Sequence, residues 1–67
     1  MSHEEQLEYL RVALSALVSC RRQILATPGW AGADPVLAVD TLRWLDRLVL
    51  MHEGEIAVIT RKLTGGA

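Results

Sequence analysis

The chain has 67 residues, with seven Lys and Arg against eight Asp and Glu, which gives a formal charge of −1 at pH 7. This balance does not suit a protein that neutralises a phosphate backbone, so we expect no nucleic-acid partner. Hydrophobic residues make up 51% of the chain, too many for a disordered tail.

A chain this short needs a source of stability beyond its own core. Below about 70–80 residues a single core rarely supplies more than about 3–5 kcal/mol. The lone Cys20 excludes an internal disulfide, and no Cys/His cluster offers a structural zinc site. We therefore expect one domain over residues 1–67 that buries surface between subunits and holds no cofactor.

A first helix is predicted over residues 3–27. Ser2 and Glu5 have the spacing of a capping box, which satisfies backbone donors of a first helical turn. Pro28 and Gly29 then end the helix. Between these signals runs an apolar seam in steps of three and four, with one polar member: Leu7, Leu10, Leu14, Leu17, Arg21 and Ile24.

A second helix is predicted over residues 35–64, after a short link over residues 28–33. Asp34 and Pro35 are typical of an N-cap and a first helical position. Gly65 and Gly66 provide the stop, and the small tail after the helix is expected to fray. Because the link is short, we predict an all-α fold in which the two helices form an antiparallel hairpin.

The second helix carries two adjacent stripes at helical spacing. The inner stripe should face the first helix: Ala38, Leu42, Leu45, Val49, His52, Ile56, Ile59 and Leu63. The outer stripe is the set Leu37, Thr41, Trp44, Leu48, Met51, Glu55, Val58 and Lys62. One neighbouring helix covers only one of them, so we predict a homodimer that forms a four-helix bundle, with a larger hetero-assembly as the alternative.

The register of the hairpin is predicted from equal rises on both sides of a turn near Trp30. This estimate places Arg21 opposite Asp40, and His52 near Glu8 and Tyr9. We interpret Arg21 and Asp40 as an ion pair that fixes the register. In the alternative, Arg21 extends to water and Asp40 pairs along its own helix.

His52 and Cys20 are the candidates for chemistry. A metal would need three or four convergent ligands, which His52, Glu55 and Glu8 supply only in a favourable register. The simpler interpretation is a polar core residue that bonds a carboxylate or Tyr9. Cys20 is expected to be a buried structural thiol, because a thin hairpin provides neither an activating base nor a pocket. We expect no enzymatic activity.

The candidate partner-binding residues combine aromatic, Arg and apolar side chains. Trp44 is bordered by Arg43 and Arg47, a composition typical of interface hot spots. Trp30 in the link either covers the open end of the bundle or anchors a partner. The full set is Trp30, Arg43, Trp44, Arg47, Leu48 and Met51. Either self-association occupies the outer stripe, or a target competes for it.

The link has one resemblance to a known family. Trp30-Ala31-Gly32 between two helices resembles the W-x-G turn of small hairpin proteins exported by ESX-type secretion systems. Members of that family carry a tyrosine-acidic export signal near the C-terminus, whereas Tyr9 is the only tyrosine here. Those proteins are also longer in both helices, and no role is carried over from this resemblance. A structural subunit of a larger helical or secretion assembly, with its outer stripe permanently buried, is the separate alternative.

Localisation and role are predicted from the charged residues and the composition. Acidic residues stand where a secretory signal is basic, and Asp40, Arg43, Asp46 and Arg47 interrupt the second helix, so we expect a cytoplasmic protein without membrane contact. One Lys against six Arg is typical of a GC-rich genome, which indicates a bacterial or phage source. We predict a small inhibitor, adaptor or anti-activator that binds itself and another, unidentified protein.

Overall fold

The computed structural model describes residues 1–32 and 34–65 and contains two α-helices. Helix α1 spans His3–Ala26 and helix α2 spans Pro35–Leu63. They pack against each other as an antiparallel pair, and no strand occurs in the described residues. The predicted all-α hairpin is confirmed.

The start of α1 has the predicted cap with one difference in its bonds. The Ser2 hydroxyl accepts from the Glu5 backbone N–H at 3.1 Å. The Glu5 carboxylate in turn accepts from that hydroxyl, also at 3.1 Å, where a full capping box would bond the Ser2 N–H. One orphan donor of the first turn is therefore satisfied, and Glu4 and Glu5 lie at the positive end of the helix dipole.

The link between the helices is a sequence of turns that two glycines make possible. Gly29 has a φ of +73°, which is costly for any residue with a Cβ. The N–H of Gly32 donates to the Gly29 carbonyl at 3.0 Å, and a Cβ on Gly32 would lie only 3.3 Å from that oxygen. Thr27 closes the preceding helix by donating its hydroxyl to the Gln23 carbonyl at 2.7 Å.

Helix α2 begins and ends at capped termini. The Asp34 carboxylate accepts from the Leu37 N–H at 3.0 Å, and Pro35 occupies the first helical position. At the other end Gly65 has a φ of +67° and its N–H reaches the Lys62 carbonyl at 3.3 Å. Gly66 and Ala67, where fraying was predicted, lie outside the described residues.

The interface between the helices consists of the predicted seam and the inner stripe. Its best-buried side chains are Leu7, Leu10, Ala38, Leu45 and Ile59, at 4–8% exposure. The other seam residues, Leu14, Leu17, Arg21 and Ile24, are half-buried, as are Leu42, Val49, His52 and Ile56 of the inner stripe. Only Leu63, at the end of the inner stripe, is exposed.

The register differs from the predicted one. Arg21 Nε donates to Asp46 Oδ1 at 2.7 Å, and Asp46 lies six positions beyond Asp40. The cluster of Leu7, Leu10 and Ile59 with Ile56 agrees with this offset. The predicted Arg21–Asp40 pair is therefore wrong, although Arg21 does form an ion pair across the hairpin.

The offset arises because the link does not add the same rise on both sides of Trp30. With Arg21 level with Asp46, Ala26 lies level with about residue 41, so the first turns of α2 extend past the end of α1. Ala38 in this extension is nevertheless buried, and Trp30 and Ala31 of the link are half-buried. We infer that the link runs back along the first turns of α2 and takes the place of α1 there.

The hairpin is an elongated rod of one helical layer. Its extents are 49 × 17 × 17 Å, and no described side chain falls below 2% exposure. It exposes 5097 Å², whereas a compact monomer of 7.4 kDa exposes about 4200 Å². Within the described residues, neither helix has a stretch long and apolar enough to cross a bilayer.

The ion pair yields a prediction that separates the two registers. A double-mutant cycle with Arg21→Ala and Asp46→Ala should give a coupling free energy of about 0.2–1 kcal/mol in urea unfolding. The value is small because the two side chains are 39% and 53% exposed and water screens them. The matched cycle of Arg21 with Asp40 should give no coupling. Coupling to Asp40 instead would contradict this register.

The cap of α2 yields a second prediction. Asp34→Ala should lower the free energy of unfolding by about 1 kcal/mol, because the Leu37 N–H loses its acceptor. Asp34→Asn is the matched control and should be nearly neutral, since Asn caps as well as Asp. Urea titrations of the wild type and the two variants measure these free energies of unfolding. An equal loss in both variants would assign the effect to charge and not to the cap.

Candidate protein-binding surface

The outer stripe of α2 lies in water along most of its length. Trp44 is 57% exposed, Met51 54% and Val58 48%, while Leu48 is half-buried beside the inner stripe. These side chains recur at three- and four-residue steps, so they share one side of the helix. An apolar side of this kind typically marks an interaction surface.

A groove runs across this side of α2 at Gly54. Its apolar walls are Leu50, Met51 and Val58, with Glu55 and Lys62 at its edge and Gln6 contributed by α1. A Cβ built on Gly54 meets no atom within 4 Å. Packing inside the hairpin therefore does not require a glycine here, although glycine in a helix interior costs about 1 kcal/mol relative to alanine.

A second apolar patch lies at the start of α2. Val36 is 72% exposed and Val39 47%, and both border a shallow groove together with Pro35, Asp40 and Arg43. Arg43 belongs to this patch and lies about 100° around the helix from Trp44, which follows it. Both Arg43 and Arg47 are exposed.

Trp30 occupies a different part of the molecule from the other candidate residues. It is half-buried in the link, at the end of the rod. The candidate partner-binding residues therefore divide into a set along α2 and a single aromatic side chain at the turn. In the part of the chain that the structure describes, no shared groove includes both Trp30 and Trp44.

His52 forms a bond that the sequence did not predict. Its Nδ1 donates to the Leu48 carbonyl one turn earlier in α2, at 2.7 Å, so neither Tyr9 nor a carboxylate is its partner. The bond leaves Nε2 as the remaining nitrogen. Among residues 1–32 and 34–65 no group of three or more His, Cys, Asp or Glu side chains is placed to hold a metal ion.

Cys20 is exposed, contrary to the predicted burial. It lies on the flank of α1 beside the seam, and a single neighbouring helix does not reach that flank. The residue type favours burial, but a two-helix hairpin has too little interior to provide it. The thiol is therefore accessible in the isolated hairpin.

Within residues 1–32 and 34–65, the charges along the outer side of α2 form no ion pairs. Arg21–Asp46 is the single ion pair in the part of the chain that the structure describes. Asp40, Arg47, Glu55 and Lys62 are all exposed. Neither Arg47 nor Lys62 has an oppositely charged residue three or four positions away in α2.

We compared the chain with known protein families, curated proteins and solved structures. No family model, no curated protein and no solved structure matches this chain. The surface is therefore interpreted from its own geometry.

Sequence reasoning placed the centre of this surface but missed two of its parts. Leu50, at 69% exposure, lies outside both stripes and was not considered. Gly54 was not considered either, although a glycine in the middle of an otherwise regular helical pattern is a signal of close packing or of a groove.

The two tryptophans give a direct test of the surface. The variant Trp30→Phe reports Trp44 alone and Trp44→Phe reports Trp30 alone. In dilute solution acrylamide should quench Trp44 more strongly, because Trp44 is 57% exposed and Trp30 is half-buried. Stern–Volmer slopes measure the difference. Stronger quenching of Trp30 would show that the link does not pack on α2 as described.

Proposed function

We propose that this protein is a non-enzymatic protein-interaction module. It acts as a homodimeric helical hairpin that binds another protein, as an inhibitor, adaptor or anti-activator in a bacterium or its phage. The observation that supports this most is the exposed apolar side of α2 around Trp44, with Arg43 and Arg47 beside it. No cofactor is part of the proposal.

The composition of this side is what favours protein as the ligand. Trp and Arg are the residue types most enriched among interface hot spots, where an aromatic ring fills a pocket and a guanidinium bonds at its edge. The surface extends along a rod with only shallow grooves, whereas small-molecule sites are concave and enclosed. A long, shallow apolar side fits another helix or a groove that receives one.

A second candidate function is that of a structural subunit in a larger helical or secretion assembly. Tyr9 is 66% exposed and Val12 65%, so α1 also presents apolar surface away from the hairpin interface. An assembly that contacts both helices would cover these residues as well as the outer stripe. Permanent burial on several sides is what distinguishes such a subunit from a binding module.

The binding proposal is tested by affinity capture with matched variants. The intact protein is used as bait in a lysate of a GC-rich bacterium, beside the triple variant Arg43→Ala, Trp44→Ala and Arg47→Ala. The triple variant should lose the captured protein, because it lacks the aromatic anchor and both guanidinium groups. Circular dichroism verifies that the variant remains helical.

The control for this capture is a second triple variant with the same chemistry in α1. Tyr9→Ala, Arg11→Ala and Arg22→Ala remove one exposed aromatic and two exposed Arg from the other helix. This control should retain the captured protein. Retention by the folded α2 variant would contradict the proposed surface.

Light scattering distinguishes the two candidate functions. A binding module should be a stable species of about twice 7.4 kDa, whereas a structural subunit should form larger or insoluble species. Tyr9→Ser with Val12→Ser should dissolve larger species if α1 takes part in assembly. The same change should leave a dimer through α2 unaffected.

A further inference from the structure

We propose that the outer side of α2 is occupied by α2 of a second copy of this chain, running antiparallel, with the two-fold axis at Met51. This inference rests on the proposed function and specifies its homodimer, and it requires a protein target to compete with the second copy for Trp44 and Arg47. The decisive observation is a symmetric order of charges and apolar residues around Met51, on residues that the hairpin leaves exposed.

The charges alternate in sign at matching distances from Met51. Arg47 lies four residues before it and Glu55 four residues after it, while Asp40 lies eleven before and Lys62 eleven after. In an antiparallel pair centred on Met51, a residue is level with the one at the same distance on the other side. The two meet where both point close to the direction of Met51, as they do at distances of four, seven and eleven residues. Arg47 of each copy therefore faces Glu55 of the other, and Asp40 faces Lys62.

The apolar residues follow the same symmetry. Trp44 lies seven residues before Met51 and Val58 seven after, so these two exposed side chains face each other and Met51 faces its own copy. Leu48 and Gly54 lie three residues away on either side. Because three residues turn an α-helix by about 300°, the two lie on opposite flanks of Met51. Leu48 is on the flank toward α1, and the open space above Gly54 is at the other edge of the contact.

Three other alignments of two copies place like charges together. Moving the helices by one heptad in one direction places Asp40 opposite Glu55, and moving them in the other direction places Arg47 opposite Lys62. A parallel, in-register pair places every charge opposite itself. Like charges across a helix pair oppose association, and opposite charges select orientation and register. Among these arrangements only the antiparallel pair at Met51 is complementary throughout.

The exposed area is of the size that a dimer requires. The hairpin exposes about 900 Å² more than a compact monomer of its mass. A standard interface covers about 800 Å² of each partner. The excess over the whole hairpin is therefore about as large as one partner's share of a standard interface.

Charge reversal is the primary test, with dimer dissociation measured by sedimentation equilibrium. Arg47→Glu should raise the dissociation constant by about tenfold or more, because it creates two like-charged contacts per dimer. Glu55→Arg should do the same for the same reason. The double variant R47E/E55R should restore the wild-type constant, since it exchanges the two partners. Arg11→Glu is the control with the same change of charge on α1 and should leave the constant unchanged.

Cysteine cross-linking tests the direction of the helices in a Cys20→Ser background. Met51→Cys should form a disulfide-linked dimer on mild oxidation, because the residue lies on the axis and meets its own copy. Val58→Cys should not, because it faces Trp44. Cross-linking at position 58 as fast as at position 51 would overturn the antiparallel arrangement, and so would the absence of a cross-link at position 51.

The outcomes separate this inference from the proposed function. A wild-type protein that stays monomeric at sub-millimolar concentration, or a double variant that fails to restore dimerisation, overturns the self-pairing. Capture of a target by the monomeric protein in that result would leave the proposed protein-binding role standing without its homodimer. Conversely, a dimer that behaves as expected but captures no protein would overturn the proposed function alone.

Discussion

Two helices packed side by side can each cover only the side that faces the other, and the rest of this molecule depends on that constraint. Helix α2 is apolar over an arc wider than α1 can cover, because the inner and outer stripes both lie on it. The inner stripe with the α1 seam provides the interface, yet no described side chain is fully buried. The inner stripe therefore stabilises the hairpin, while the outer stripe is left largely exposed.

The register is set by the link as much as by the seam. Two helices with apolar residues every three or four positions can pack in several registers, and the repeat does not choose among them. The turns around Gly29 and Gly32 determine where α2 begins relative to the end of α1. Arg21 and Asp46 then form an ion pair across the hairpin. Because both side chains are exposed, this pair contributes little stability, and its main effect is on the register.

Much of the fold could be predicted from local signals. Capping by Ser2 and Asp34, the break at Pro28 and the periodic seam are short-range effects that a single sequence displays. The Arg21–Asp40 pair and the burial of Cys20 were wrong for a different reason. Both depend on the path of the link and on how much of a flank one neighbour reaches, which are three-dimensional quantities. The outer stripe was predicted correctly as surplus apolar surface, while Gly54 required the open space above it to be seen.

The extension of α2 beyond α1 makes the cooperativity of the rod uneven. Along most of its length each turn of α2 packs against a turn of α1. Near Ala38 we infer that the link takes the place of α1, and the described part of the link has turns in place of a regular helix. Local opening of the link would release the first turns of α2 without separating the rest of the pair. We therefore expect the amides at that end of the rod, which carries Trp30, to exchange faster than those in the middle of the helix pair.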